Sequence, residues 1–415
     1  MFRSLLINLA NSPAPTPPQP ANDYFTIVPH SAGTLTFTQK GNGTLNYKVG
    51  DNGSWTAMSS GSAISFSAND EIRFKGNLSN STSPSGTGAI AIGSDYGIGR
   101  FSSTFDFTAK GNIMSLLFGD NYDTNFSLSG YPAVFNSLFA EGNIVHASQL
   151  LLPATTLSVH CYTNMFNVCT KLEDAPLELP AITLPTRAYC NMFRACYLIP
   201  TMPDIKATTI DGASAMGFMF AYAGIRRFEC NITTLNSGAS GALGYICFHC
   251  ANLEEVVVPS IAALQSQALN SAFAYCIKTN YWGLATPTAP GQVTSGFVSD
   301  VVFKDASGNN ITLGNDITAD DFVGLRKITF PDNFPTSNPS HAIQYILVGN
   351  KALKEIRWKN TMSEGNAILK YVGHTSLNGE QRTVKGKFIA GVNSTWGTST
   401  SGYNSQAFDI EKIIV

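Results

Sequence analysis

The sequence predicts a mostly β chain, with a small antiparallel β-sandwich near the N-terminus followed by a solenoid of stacked repeats built from short strands and turns. Three patterns carry that expectation. First, a phrase returns at a fixed interval between 138 and about 280. Met165-Phe166-Asn167-Val168-Cys169 recurs after 27 residues as Met192-Phe193-Arg194-Ala195-Cys196, then as Met219-Phe220-Ala221-Tyr222-Ala223 and Ile246-Cys247-Phe248-His249-Cys250, and after 26 more as Ala272-Phe273-Ala274-Tyr275-Cys276. A period of this size marks stacked units, because one unit alone cannot bury its apolar face. Second, an apolar-polar-polar-apolar phrase follows downstream, as in Leu172-Glu173-Asp174-Ala175, Ile225-Arg226-Arg227-Phe228, Leu253-Glu254-Glu255-Val256, Leu325-Arg326-Lys327-Ile328 and Leu353-Lys354-Glu355-Ile356. In the last three it leads into strand-forming segments such as Val256-Val257-Val258. Third, the chain ahead of the array alternates apolar and polar residues with period two.

Taken in order, residues 1–24 read as an apolar docking peptide on a Pro-rich linker. Phe2, Leu5, Leu6, Ile7 and Leu9 put five large apolar groups into nine residues, and Pro13, Pro15, Pro17, Pro18 and Pro20 leave only an extended, polyproline-like conformation. Asn8 interrupts the apolar run, which falls short of the ~7–15 residues of a signal-peptide core. No Cys precedes Cys161 to carry a lipoprotein anchor, and the chain opens on Met1, so the expectation is an unexported arm that docks on a partner; a frayed terminus is the bland alternative. Over 25–110, Leu35 and Phe37, Leu45, Tyr47 and Val49, Ile64 and Phe66, and Ile72 and Phe74 alternate with polar residues between Gly-rich turns, the pattern of a β-sandwich. Residues 79–88 form a Ser, Thr and Gly-rich loop, and Trp55 beside a turn either packs or stacks on a sugar ring.

Repeats are expected over 111–280, an insertion or irregular repeats over 281–320, resumed repeats over 321–384 and a C-terminal cap over 385–415. Tyr281 and Trp282, at the start of the Gly, Pro and Thr-rich interval, are candidate ligand contacts, since insertions in repeat arrays place loops on one face; the alternative is that they seal the repeat edge. The last segment, 408–415, supplies a capping strand or pairs with a second copy, so a homo-oligomer is a further expectation.

Charged residues make up 13% of the chain with a formal net charge of −2, and Lys and Arg do not cluster. That composition argues against a nucleic-acid footprint, and no apolar run reaches the ~18 residues of a membrane span. All eight Cys lie between Cys161 and Cys276. Cys169, Cys196, Cys250 and Cys276 share one repeat position, interrupted at Ala223, and read as small buried thiols rather than disulfides, whose geometry parallel side chains rarely meet. Cys247-Phe248-His249-Cys250 has the spacing of a metal or redox pair, but no second pair accompanies it. Asp120, Asp123 and Asn125 make an oxygen-rich turn that invites calcium without the Gly and distal Glu of an EF-hand loop. The six His share no motif with Ser, Cys or Asp, and no HExxH or phosphate loop is present, so no enzyme, cofactor or metal is expected.

The segment Leu152-Pro153-Ala154-Thr155-Thr156-Leu157, with Cys161-Tyr162, Met165-Phe166, Cys169, Leu172, Ala175-Pro176 and Leu179-Pro180-Ala181, resembles the BspA-type leucine-rich repeats of gut Bacteroidales surface proteins and of virion proteins of their phages. The lead-in from Gly111 to Asp120 and the closing Gly386-Lys387-Phe388, Asn393 to Trp396 and Thr400-Ser401-Gly402 are similar to the same proteins. The pattern departs at Ala223, at Tyr189-Cys190 in swapped order, and across 283–320. The resemblance implies a phage virion structural protein, a fibre or head or tail appendage, that displays its repeats for binding a host-surface glycan or protein and is held by other virion proteins through the N-terminal arm. A bacterial cell-surface adhesin of the same family is the alternative, and a polysaccharide-degrading enzyme a more distant one.

Overall fold

A computed structural model describes residues 23–80, 91, 94, 96–278, 300–301, 323–335, 342–343, 346–347, 350, 353–358, 374–377, 380–383, 386–390 and 408–412. The chain is mostly β, with 28% strand against 4% helix. Residues 1–22 of the expected arm and linker (1–24), most of the expected Ser/Thr/Gly loop (79–88) and most of the interval 279–322 lie outside the described residues.

The period-two segments form strands as their patterning dictates. They are β1 (Thr26–Pro29), β2 (Gly33–Gln39), β3 (Leu45–Val49), β4 (Thr56–Ala57), β5 (Ala63–Phe66), β6 (Ile72–Gly76), β7 (Gly99–Ser103) and β8 (Phe107–Asn112). β5-β2-β7 make one antiparallel sheet; the other runs β4-β3-β6-β1-β8-β9, where β9 is Ile144–Leu151. The inward residues Leu35, Phe37, Ile72 and Phe74 are fully buried. Phe25 and Phe74 of the larger sheet meet Phe101 of the smaller at 5.6 and 5.2 Å. β9 pairs parallel with β8, so the sheet runs past the expected boundary at 110 and takes its last strand from the repeat region. Gly111, at φ +77° within β8, lets the backbone of Tyr24 approach closely; a Cβ there would lie 2.2 Å from the Tyr24 carbonyl oxygen.

From Ala133 onward the repeats are joined by backbone hydrogen bonds in sequence order. Phe135 N–H donates to the Cys161 carbonyl, Tyr162 to Ala188, Tyr189 to Ala215, Met216 to Ala242 and Leu243 to Ala268, all at 2.8–3.0 Å. The intervening N–H groups close tight turns three residues back, as from Met165 to Tyr162. Alternating the two uses requires a left-handed residue every fourth position. His160, Asn164 and Val168, then Arg187, Asn191 and Ala195, then Ser214, Phe218 and Tyr222, all have φ between 50° and 63°. Non-glycine residues rarely adopt that region, and here the inter-repeat hydrogen bonds hold them in it.

Each apolar-polar-polar-apolar phrase buries both of its ends, for example Leu253 with Val256 and Leu325 with Ile328. The strands β14 (Arg227–Phe228), β16 (Glu255–Val257), β20 (Lys327–Thr329), β21 (Glu355–Trp358), β24 (Gly386–Ala390) and β25 (Phe408–Lys412) form one parallel sheet in that order. β25 is its edge strand, where a capping strand was expected. β10 (Glu178–Leu179) pairs with β12 (Asp204–Ile205), and β11 (Thr183–Leu184), β13 (Thr209–Ile210) and β15 (Thr234–Leu235) form a third parallel set.

The ladder passes directly from Val256 to Ile328. Between them, β17 (Ile277–Lys278) and β19 (Val323–Gly324) pair antiparallel, so the chain leaves the array and returns at adjacent points. β18 (Asp300–Val301), within that excursion, pairs with β22 (His374–Leu377), which also pairs with β23 (Glu380–Thr383).

A single core links the two halves. Phe101 stacks on Phe139 at 6.1 Å, and Phe139, Phe166, Phe193 and Phe220 continue as a file of fully buried, stacked rings 5.3–5.6 Å apart. Phe135, Tyr162 and Tyr189 form a second file. Tyr189 therefore holds the register of Tyr162, and the apparent swap of Cys161-Tyr162 into Tyr189-Cys190 is a Cys that has moved across a fixed Tyr. All eight thiols are free and buried. In the Cys column, Cys169, Cys196, Cys250 and Cys276 donate to the carbonyls of Phe139, Phe166, Phe220 and Cys247 of the preceding repeat at 2.9–3.1 Å.

Candidate functional site

The left-handed positions that splice the repeats together carry an aromatic strip on the outside of the array. Tyr222, His249 and Tyr275 occupy one repeat position and stack at 5.2 and 5.0 Å with nearly parallel rings. Four residues earlier in their repeats, Phe218 stacks on Tyr245 at 4.6 Å. Phe248 packs edge-on against Tyr222, Tyr245, His249 and Tyr275 and joins the two files. Phe218 is 36% exposed and the other five rings are partly exposed. Phe248 is here because its repeat carries Cys247 in the slot that Phe166, Phe193 and Phe220 fill; Phe228 and Phe273, 5.4 Å apart, pack in the core nearby. Burial pulls the His249 imidazole down from its usual range to about 4, so it stacks as a neutral ring at neutral pH.

One end of the strip is capped by a cation. The Arg194 guanidinium lies 5.5 Å over the ring of Tyr222, the geometry of a cation–π contact. Beside it, Tyr197 and Leu198 are 39% and 53% exposed. Three residues beyond Tyr197 begins an open groove of about 670 Å³, lined by Pro200, Thr201, Met202 and Asp204 on one side and by Arg226, Arg227, Glu229 and Asn231 on the other. Pro203 has no N–H to give to a ladder, and β12 and β14 do not pair; a hydrogen bond from Arg226 N–H to the Pro200 carbonyl spans the junction. Arg227 is held by Glu229 and Glu255, and Asp204 by Lys206.

The residues singled out from sequence fare differently. Tyr281 and Trp282, and Phe2, Leu5, Leu6, Ile7 and Leu9 of the arm, lie outside the described residues. Trp55 packs against Tyr24 at 5.2 Å, with the ammonium groups of Lys75 and Lys48 over its ring at 4.6 and 5.3 Å. The calcium reading of Asp120, Asp123 and Asn125 is not supported. Both Asp120 oxygens accept from Lys75 at 2.9 Å, one also accepts from the Tyr24 hydroxyl at 2.7 Å, and no metal-ligating cluster occurs among the described residues. Cys247 and Cys250 are buried thiols, the latter donating to the Phe220 carbonyl.

The structure also makes a pair that sequence reading missed. His146 Nδ1 lies 2.7 Å from Asp174 Oδ2, and Asp174 Oδ1 accepts the N–H groups of Ala147 and Ser148. The two residues stand 28 positions apart, one more than the 27-residue interval of the core phrase, and that near-match is the signal that would have found them. A His–Asp pair orients an imidazole for proton transfer, but among the described residues no hydroxyl or thiol hydrogen-bonds His146; the pair ties the edge of β9 to the next repeat.

No protein-family model, curated protein or solved structure matches the chain.

Proposed function

We propose that the chain is a structural protein of a phage particle, a fibre or a head or tail appendage, which presents a leucine-rich repeat solenoid of the BspA type to the host surface. In this reading the two N-terminal sheets are a small β-sandwich, the excursion between β17 and β19 is an insertion in the array, and the arm with Phe2, Leu5, Leu6, Ile7 and Leu9 docks on other virion proteins. The repeat phrases and their resemblance to phage and bacterial surface repeats support the family. The observation that carries a binding role is the aromatic strip. Six rings stand outside a core that already has its own aromatic file, and partly exposed Tyr and Phe clusters are the usual energetic centre of a recognition surface.

Mass spectrometry of purified particles tests the assignment. The account expects peptides of this chain at a copy number in keeping with an appendage. Their absence from particles, with the protein recovered from a bacterial envelope instead, would replace the virion reading with the adhesin one.

A further inference from the structure

We propose that the surface formed by Arg194, Tyr197, Leu198 and Tyr222 binds a carboxylate-bearing polysaccharide, with Arg194 as the residue that recognises the anion. The proposal rests on the reading of the repeats as a host-binding surface and names what that surface takes.

Arg194 carries a charge that no carboxylate offsets among the described residues. Arg73, Arg100, Arg227 and Arg357 each pair with a carboxylate, whereas Arg194 is partly buried and no carboxylate pairs with it among the described residues. A desolvated cation without a counter-charge is costly, and an incoming anion offsets that cost. The equivalent position in the next repeat is Ala221, small enough for the guanidinium to reach across to Tyr222. At 5.5 Å over the ring, the guanidinium can keep its edge N–H groups as a fork matched to a planar carboxylate. Tyr197 and Tyr222 sit close enough to Arg194 to feel its charge, and burial holds both phenols above their ordinary range. Their hydroxyls, protonated at neutral pH as any ordinary phenol is, can donate.

The surroundings favour a saccharide over an acidic peptide. A peptide entering the groove would use the unpaired edges of β12 and β14, but Pro203 lacks a donor there and the Arg226 N–H is already taken by the Pro200 carbonyl. A hexuronate carries its carboxylate on the sugar ring, so the anion and an apolar C–H face arrive together. Arg194 beside the exposed Tyr197 and Leu198 offers the same pairing.

The test is calorimetric titration of the full chain with tetragalacturonate, with its carboxyl-reduced neutral counterpart, and with a sulfated tetragalactose. The expected result is at least tenfold tighter binding of the carboxylated ligand. Arg194→Gln should abolish that preference at an unchanged unfolding midpoint, and Arg194→Lys should recover part of it. Tyr197→Phe, which removes only a hydroxyl, should weaken the carboxylated ligand several-fold and serves if Arg194→Gln does not fold. Equal binding of acidic and neutral ligands, wild-type affinity in Arg194→Gln, or no binding of tetragalacturonate at millimolar concentration would overturn the proposal. A sulfated ligand binding as tightly as the carboxylated one would overturn the carboxylate assignment. None of these results touches the aromatic strip away from Arg194, whose role is read separately by cell binding.

Discussion

The thiols of Cys169, Cys196, Cys250 and Cys276 show why one residue type recurs in this column: a small apolar side chain fits the core, and its S–H still reaches a carbonyl of the previous repeat. Burial pushes the Cys169 and Cys230 thiols up to about 12. At pH 8 a thiol reagent should therefore label none of the eight in the native protein and all eight after denaturation, with stability indifferent to reductant. Labelling of the native fold, or a disulfide in freshly purified protein, would contradict the packing. Cys196→Ala should cost about 1–2 kcal/mol in chemical denaturation, from the lost donor and a small void. His249 gives a pH signature. Its folded value near 4 lies below the ordinary value of about 6.5, so the unfolded chain binds the proton more readily between those values. Its contribution to stability is present above pH 6.5 and is lost as pH falls toward 4. Urea denaturation across that range should show the loss in wild type and a smaller one in His249→Phe, which keeps a ring in the stack.

At the level of the element, the buried Phe file is the part most legible in the sequence, because a fixed period and a fixed residue type leave little freedom of register. Phe193, clamped between Phe166 and Phe220, should cost roughly 3–5 kcal/mol on replacement by Ala, whereas Phe248→Ala, at a partly exposed position, should cost about 1 kcal/mol or less. A reversed order of those two losses in denaturation midpoints would place the repeats one residue out of register. The left-handed backbone positions were not legible, since Val168, Phe218 and Tyr222 carry no glycine to announce them. The aromatic strip was hidden for the same reason, although aligning the repeats does put Tyr222, His249 and Tyr275 in one column. The parallel strands were anticipated where β-branched residues follow the apolar pair. The break between β12 and β14 depends on which repeat places a proline opposite which carbonyl, a tertiary matter that the local pattern of Pro200-Thr201-Met202-Pro203 does not reveal.

For the whole molecule, the sheet boundary drawn at 110 failed to anticipate β9, because a parallel strand whose residues pair 37–39 positions upstream leaves no mark in local alternation. The interval after Tyr281 was read as an interruption, and β17 and β19 pair across its ends. Replacing 279–322 by a short Asn-Gly hairpin turn should accordingly leave the ladder from β16 to β20 intact, with far-UV circular dichroism and thiol protection preserved; exposure of Cys276 to label would contradict it. The central claim is that the rings outside the core bind the host. It is tested most directly by measuring the binding of labelled full-length protein to host cells for wild type and for Phe218→Ser/Tyr245→Ser/Tyr275→Ser, a variant that spares Tyr222 and Arg194. The account predicts at least tenfold weaker binding with the native circular dichroism spectrum retained. Binding equal to wild type would contradict it.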